Sequence, residues 1–204
     1  MGLNQKFMAW AMAYATSGYE AAMIDRKSML FAGISGSILE IGPGAGSNLR
    51  YLNDQVNWTG VEPNSHMIPY LQKEAESLGQ PIDISLSTLD DFEATDAFDY
   101  VVSTLVLCSV PDLAESLRKI YAVLKPGGKF LFVEHVAAPE GSLLRQMQTG
   151  LRPIWSWIGD GCQLNRQTGS AIRAAGFNDV SYEAFDAPVP IALIRPHICG
   201  VAIK

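Results

Sequence analysis

Three glycines stand at alternate positions directly behind an apolar run, in the stretch ILEIGPGAGSNL at residues 38–49. Glycine has no side chain, so Gly42, Gly44 and Gly46 let a ligand approach the backbone closely. No Gly-Lys-Ser/Thr tripeptide occurs, which excludes a phosphate-binding P-loop. In the dinucleotide fingerprint G-x-G-x-x-G, the third glycine would fall on Ser47. The spacing therefore weakens the hypothesis of a dinucleotide site.

Two carboxylates frame this glycine loop. Glu40 precedes the first glycine and completes the pattern E-x-G-x-G-x-G. Glu62 ends a second apolar run in TGVEP, where a carboxylate can accept hydrogen bonds from both hydroxyls of a ribose. Dinucleotides and adenosyl cofactors both contain a ribose, so Glu62 predicts that sugar without choosing between the two ligands.

A second set of reactive side chains lies in the C-terminal half. The side chains that could move a proton during a reaction are those of His135, Glu134 and Asp160. The side chains that could contact a substrate are those of Cys108, Trp155 and His197. Trp157, Ile154 and Ile158 could line an apolar pocket together with Trp155.

Each of these residues also has a structural alternative. His135 could make a structural hydrogen bond, Cys108 could be an inert buried thiol, and the tryptophans could pack against the sheet. A metal site built from His135, Asp160, Cys162 and His197 would have a spacing that matches no familiar ligand pattern, so we expect no metal.

Alternating strand-like and helix-like segments must position these residues. The expected strands are residues 37–41, 56–63, 81–88, 97–107, 129–136, 179–187 and 195–204. The expected helices begin near Ser47 and cover 65–79, 111–128 and 164–177, with an irregular stretch at 139–161. This β-α-β order implies a mostly parallel sheet with helices on both faces. Ligands of such sheets bind beyond the carboxyl ends of the strands.

Composition sets the class of protein. A chain of 204 residues with 48% hydrophobic and 18% charged residues is typical of one globular domain. A net charge of −6 argues against a nucleic-acid partner. Three widely spaced cysteines form no disulfide framework, which indicates a reducing, cytoplasmic setting. The apolar stretch at 8–24 is too interrupted to span a membrane, so we expect a helical lid over 1–30 that covers a site or touches a membrane surface.

Four ordered segments carry a resemblance to a known family. E-x-G-x-G-x-G resembles motif I of the class I S-adenosylmethionine (SAM) methyltransferases. FDYVVSTLVLCSVPD and LRKIYAVLKPGGKFLFVEH resemble their fourth strand, following helix, L-K-P-G-G turn and fifth strand. The resemblance implies a Rossmann-like, seven-stranded, mostly parallel α/β sheet with helices on both faces. It also implies SAM as cofactor, bound by Glu40, Gly42, Gly44, Gly46, Glu62, Pro63, Thr88, Leu89 and Thr104.

A narrower resemblance concerns the acceptor. STLVLCSV, EHVAAP, WSWIGDGCQLNR and LIRPHICGVAIK look like segments of the alkyl thiol S-methyltransferases of the methyltransferase-like family. Those relatives methylate small thiols and are membrane-associated through an N-terminal anchor, to which 8–24 is not comparable. The resemblance implies a small, apolar acceptor with thiol sulfur favoured. The alternatives are N-, O- or C-methylation of a phospholipid, quinone or other small molecule, a non-catalytic SAM-binding protein, and an oxidoreductase with a nucleotide cofactor.

Overall fold

A seven-stranded sheet organises the part of the chain that the computed structural model describes, residues 17–159 and 161–204. The strands are β1 (Gly36–Ile41), β2 (Val56–Val61), β3 (Asp83–Ser85), β4 (Phe98–Thr104), β5 (Leu124–His135), β6 (Asp179–Asp186) and β7 (Pro196–Ile203). Their order is β3-β2-β1-β4-β5-β7-β6, and β7 is antiparallel to both of its neighbours. The predicted Rossmann-like, mostly parallel sheet is confirmed.

Five α-helices accompany the sheet within the described ranges. They are α1 (Ser17–Leu30), α2 (Ile68–Leu78), α3 (Leu113–Val123), α4 (Leu143–Ile158) and α5 (Thr168–Ala174). Short 3-10 turns lie at Leu49–Tyr51 and Ala192–Ile194. None of these helices is long and apolar enough to cross a membrane.

Two hydrophobic clusters bury the two faces of the sheet. Successive residues of β5 alternate between them, with Phe130 and Phe132 in one cluster and Leu131 in the other. Ile120 of α3 belongs to the first cluster and Leu71 of α2 to the second. Helices therefore cover both faces, which explains why the central strands read as almost continuous apolar runs.

Three local predictions were wrong. The stretch 139–161, expected to be irregular, contains α4, whose first turn is capped by the Ser142 hydroxyl accepting a hydrogen bond from the Arg145 backbone N–H at 3.1 Å. The helix expected from Ser47 is only a 3-10 turn. The helix expected to be ended by Pro126-Gly127-Gly128 already ends at Val123, because the backbone becomes extended at Leu124, where β5 pairs with β4.

The predicted N-terminal lid is described only from Ser17 onward, because residues 1–16 lie outside the described ranges. The described part, α1, packs against β7. The Lys27 side chain is fully buried, and its ammonium group donates to both carboxylate oxygens of Glu20, at 2.8 and 2.7 Å. Burial raises the pKa of the Glu40 carboxyl of β1, and the positive charge of Lys27 is one of the influences that oppose this rise.

Candidate functional site

The glycine loop leaves β1 in a conformation that favours glycine. Gly42 and Gly46 have φ angles of 57° and 83°, in the left-handed region. A Cβ added to Gly42 would lie 2.8 Å from Cγ2 of Val106, and a Cβ added to Gly46 would lie 2.8 Å from Cδ1 of Leu71. A side chain at either position would strain the backbone and displace its neighbour.

Glu62 joins the glycine loop to the end of β2. Its buried carboxylate accepts a hydrogen bond from the backbone N–H of Gly44 at 3.0 Å and another from that of Asn64 at 2.8 Å. Pro63 follows on the exposed side. The structure thus brings together the glycine loop and the carboxylate that the sequence predicted for a ribose.

Glu40 is held by residues that the sequence analysis did not identify. Its two oxygens accept hydrogen bonds from the Asn48 side-chain amide and the Trp58 indole N–H, both at 2.8 Å. Burial raises the pKa of Glu40, and these two hydrogen bonds act in the opposite direction. The Asn48 amide also donates to the Thr104 hydroxyl at 3.0 Å, which links the ends of β1 and β4. The Asn48 carbonyl oxygen is buried and has no hydrogen-bond partner among the described residues.

In the turn after β3, the predicted cofactor-binding residue Thr88 forms hydrogen bonds within the turn itself. Thr88 is exposed, and its hydroxyl donates to the Asp91 carboxylate at 2.7 Å. The Asp91 backbone N–H donates back to the Thr88 oxygen at 3.3 Å, while Leu89 is buried. The Thr88 hydroxyl is therefore engaged within its own turn.

Glu134 anchors the loop that follows β4. It is fully buried and accepts hydrogen bonds from the Ser103 hydroxyl at 2.6 Å and from the backbone N–H groups of Val106 at 3.2 Å and Leu107 at 3.1 Å. Burial raises the pKa of Glu134 to about 7, and the hydrogen bonds oppose this rise. Leu105, in the same loop, has a φ of 60°, an unfavourable angle for a residue with a branched side chain. Glu134 holds this strained loop in place.

Two cysteines and a histidine meet beyond the ends of β4 and β5. One ligand atom from each of Cys108, His135 and Cys162 lies within 4.8 Å of the other two. The Cys162 sulfur is 3.9 Å from Nδ1 of His135, whose Nε2 lies 3.3 Å from the Leu193 carbonyl oxygen. The pKa of the Cys162 thiol is lowered by the neighbouring Cys108 thiol and, to a smaller extent, by the His135 imidazole. We name these three residues the Cys–His cluster.

Hydrogen bonds to backbone carbonyls tie the segment after α4 to the loop after β4. The backbone N–H of Gln163 donates to the Cys108 carbonyl at 2.8 Å. The Arg166 guanidinium donates to the carbonyls of Leu107 and Val110, both at 2.7 Å. These bonds hold Cys162 opposite Cys108, although the two cysteines are far apart in the sequence.

Aromatic rings surround the cluster on the β7 side. His197 pairs with His135 across β5 and β7, with their ring centroids 5.9 Å apart. Tyr19 of α1 and Phe185 of β6 lie 5.7 and 5.6 Å from the His197 ring. Burial lowers the pKa of His197 to about 4, so this imidazole is neutral at physiological pH. Tyr19 could not be identified from the sequence, where its only signal is its place in the apolar N-terminal stretch.

Only some of the residues predicted to line the acceptor pocket lie near the Cys–His cluster. Trp155 is half-buried, and its side chain is the smallest of the neighbouring influences that lower the pKa of the Cys162 thiol. Trp157 is 78% exposed, and Ile154 and Ile158 are also exposed, so their predicted place in a pocket wall was wrong. They lie on the outer face of α4. Asp160 lies outside the described residues.

Comparison with known proteins places this site in a family. A family profile described as a methyltransferase domain matches residues 15–182. The human thiol S-methyltransferase TMT1A is 34% identical, over 98% of this chain and 87% of that protein. The mouse thiol S-methyltransferase TMT1B is 35% identical, over 97% of this chain and 86% of that protein.

A solved structure shows the same fold. The 1,6-didemethyltoxoflavin-N1-methyltransferase of Burkholderia thailandensis, solved with S-adenosylhomocysteine, superposes with a TM-score of 0.69 at 19% identity, over 98% of this chain and 86% of that one. The chain therefore belongs to the class I methyltransferases, enzymes that take their methyl group from SAM, and along almost its whole length it is similar to the thiol S-methyltransferases.

Proposed function

We propose that this enzyme methylates the sulfur of small, apolar thiols. The observation that carries the proposal is the similarity to thiol S-methyltransferases, which covers 98% of the chain and so includes the segments that form the Cys–His cluster. The cluster supports it, because it places sulfur and imidazole groups, with aromatic rings beside them, beyond the ends of β4 and β5.

The residues around β1 and β2 fit SAM. The open carbonyl oxygen of Asn48, next to the buried Glu40 carboxylate, suits the ammonium group of the methionine portion. Glu62 suits the ribose hydroxyls, and the glycine loop admits the cofactor close to the backbone. Thr104 lies between this region and the acceptor side. When bound, SAM supplies a sulfonium methyl group that an aligned nucleophile displaces.

The Cys–His cluster is the proposed place where the acceptor thiol binds and loses its proton. A thiolate attacks a methyl carbon far better than a thiol does, so an S-methyltransferase gains from a group that favours deprotonation. Nδ1 of His135 and the Cys162 sulfur face each other there. Glu134 acts in this proposal as a positioning residue, because its oxygens already accept three hydrogen bonds from the loop after β4.

The proposal extends to α1 as the inner part of a lid. The Tyr19 hydroxyl is buried and makes no hydrogen bond within the described residues, and its ring lies beside His197. Burial raises the pKa of Tyr19 far above its ordinary value, so the group stays a neutral donor. A lid of this kind excludes water from the acceptor side.

Peripheral contact with a membrane stays a prediction. Ile24 and Met29 of α1 are exposed, and so are Leu143, Met147 and Trp157 of α4. Sedimentation of the full chain with neutral lipid vesicles tests it, since a net charge of −6 gives no general attraction to anionic lipid. Recovery of the chain in the supernatant would contradict it.

An acceptor panel with mass detection of products tests the thiol assignment. The enzyme and SAM are incubated separately with an alkyl thiol, an amine, a phenol, a quinol and phosphoethanolamine. We expect a methyl thioether and an equal amount of S-adenosylhomocysteine with the thiol alone. Methylation of an amine, phenol, quinol or phosphoethanolamine without any thioether would overturn the assignment. SAM binding without turnover of any acceptor would indicate a non-catalytic SAM-binding protein.

A further inference from the structure

We propose that the Cys–His cluster is a zinc site with three protein ligands, and that its fourth position receives the sulfur of the methyl acceptor. This inference rests on the proposed function, since it assigns the means by which the acceptor thiol is held and deprotonated. The ligands are the sulfurs of Cys108 and Cys162 and the Nδ1 atom of His135.

The spacing of the three ligand atoms suits a tetrahedral ion. Zinc bonds to sulfur at about 2.3 Å and to imidazole nitrogen at about 2.0–2.1 Å, so the ligand atoms of such a site stand roughly 3.5 Å apart. The three atoms here lie within 4.8 Å of one another, and the Cys162 sulfur is 3.9 Å from Nδ1. Side-chain shifts of about 1 Å or less close this set around an ion.

A hydrogen bond from Nε2 of His135 orients the ring so that Nδ1 faces the cysteine sulfurs. Nε2 of His135 lies 3.3 Å from the Leu193 carbonyl, which can only accept, so Nε2 carries the proton. The same carbonyl accepts from the side-chain amide of the fully buried Gln148 at 2.9 Å, which fixes its position. Metal-binding histidines typically have such a partner on the second nitrogen.

The three segments that carry the ligands are also held together without an ion. Glu134 fixes the loop after β4, in which Cys108 lies. Gln163, next to Cys162, donates to the Cys108 carbonyl at 2.8 Å, and Arg166 ties its own segment to the same loop. The site is thus built from hydrogen bonds to the backbone that leave the ligand atoms facing one another.

The type and number of ligands favour zinc in a catalytic arrangement. Two thiolates and one imidazole suit zinc and do not suit magnesium or calcium, which prefer oxygen ligands. Three protein ligands with one open position are characteristic of catalytic zinc, whereas structural zinc has four. Neighbouring cysteines in a reducing compartment are more often metal ligands or catalytic groups than a disulfide.

The proposed methylation of a thiol at zinc takes two steps. An acceptor thiol R–SH displaces a water molecule from zinc and binds through sulfur, and its proton passes to solvent because the metal stabilises the thiolate. The bound sulfur then uses a lone pair to form a bond to the methyl carbon. The bond between that carbon and the sulfonium sulfur breaks, and its electron pair stays on what becomes S-adenosylhomocysteine. The product R–S–CH3 is a neutral thioether and a weaker ligand than the thiolate, so it dissociates.

Metal analysis and cobalt substitution test this site on the full chain. The protein is purified without chelators and without a metal-binding tag, and its zinc content is measured by elemental mass spectrometry. Zinc is then exchanged for cobalt(II), whose bonds to thiolate give an intense near-ultraviolet absorption and whose tetrahedral geometry gives visible bands. We expect about one zinc per chain, both cobalt signatures, and a change in the visible bands when an alkyl thiol is added.

Variants separate the cluster from other thiols. Cys162→Ser and His135→Ala should lose the bound metal, while Cys199→Ser should keep it, because Cys199 of β7 lies outside the cluster. Calorimetry with SAM shows whether each variant is folded. Cys162→Ser and His135→Ala should retain SAM affinity, because the substituted side chains lie on the acceptor side.

Each outcome decides one claim. Full thiol methylation by protein free of metal would overturn the zinc site and leave the proposed function standing. Copper or iron in place of zinc, or loss of metal in Cys199→Ser, would overturn the assignment of the ion or of its ligands. Visible cobalt bands that do not change when an alkyl thiol is added would overturn the claim that the fourth ligand position is open to the acceptor. Metal bound at the cluster with no thiol methylated would overturn the proposed function and leave only a metal site.

Discussion

Around Glu40 and Glu62, buried carboxylate oxygens accept hydrogen bonds from fixed donors. Beyond β5, by contrast, several buried polar atoms have no hydrogen-bond partner within the described residues. The Tyr19 hydroxyl, the Trp155 indole N–H and Nε2 of His197 make no hydrogen bond within the described residues. On the SAM side the Asn48 carbonyl oxygen, an acceptor, has no partner among the described residues, and neither has the Tyr51 hydroxyl. One side is prepared for a single, positively charged ligand, and the other is an aromatic enclosure around sulfur and imidazole groups.

This difference indicates that the two sides fail separately when mutated. We propose that binding of SAM depends on backbone and carboxylates at β1 and β2, and that handling of the acceptor depends on the Cys–His cluster. Substitutions on each side therefore provide a direct test of the division.

The largest expected effect is on the acceptor side. His135→Ala removes the nitrogen that faces Cys162 and with it a group on which deprotonation of the acceptor thiol is proposed to depend, so we expect turnover of a thiol to fall by about 10²-fold or more. SAM affinity, measured by calorimetry, should change less than about twofold, with Cys199→Ser as the control. An equal loss of SAM affinity would show that the two sides are not separate.

The next effect concerns Glu62. Glu62→Ala removes a carboxylate that holds the Gly44 backbone N–H and is proposed to bind the ribose, so SAM affinity should weaken by about 1–3 kcal/mol, or roughly 5- to 150-fold. The measurement is calorimetry with S-adenosylhomocysteine, and Glu93→Ala, at an exposed position, is the control. Unchanged affinity with a reduced rate at saturating SAM would instead place Glu62 on the acceptor side.

Gly42→Ala should act on stability as well as on binding. The left-handed φ of 57° costs a residue with a side chain about 1–2 kcal/mol, and the new Cβ would press on Val106. Chemical denaturation should show this loss. Gly150→Ala is the matched control, because Gly150 lies in α4 with nothing near its Cβ position, and there alanine should stabilise the helix by about 0.5–1 kcal/mol. Equal stability of the two variants would contradict the account of the loop.

The smallest expected effect lies away from both sides of the site. Lys125 and Ser37 lower the pKa of Asp99, near the start of β4, from 3.8 to about 2. A carboxyl whose pKa is lower in the folded state contributes stability that is present above about pH 4 and is lost as the pH falls through 2. The pair is 38–40% exposed, so this contribution is about 0.2–1 kcal/mol.

Stability measured against pH checks this contribution. Asp99→Asn should flatten the curve between pH 4 and 2, while Asp54→Asn, at an exposed position before β2, should leave the slope as it is. Neither variant should alter SAM affinity at neutral pH. The same steep loss of stability in Asp99→Asn would mean that other carboxylates cause it.

The sequence was most informative where function depends on neighbouring residues. The glycine spacing and the carboxylates Glu40 and Glu62 are local patterns, and the order of strands follows from alternating periodicity, so this part of the site could be predicted. Asn48 and Trp58 could not, because their contact with Glu40 depends on how the loop folds back and on the pairing of β1 with β2.

The acceptor side was harder to predict because its parts are distant in the chain. Cys108 and Cys162 meet only through the loop after β4 and the turn after α4. α4 itself was not predicted, because Gly150 and Pro153 interrupt its helical pattern and suggest a loop. The exposed Trp157 then shows that an aromatic residue in such a segment need not face the site.

The most direct test of the central claim is a competition among matched acceptors. The enzyme is given methyl-labelled SAM and equal amounts of an alkyl thiol, the alcohol and the amine of the same chain length, and the labelled products are identified by mass. The account predicts label almost entirely in the methyl thioether, and loss of that product in His135→Ala. Label in the ether or the methylamine, with little or none in the thioether, would contradict it.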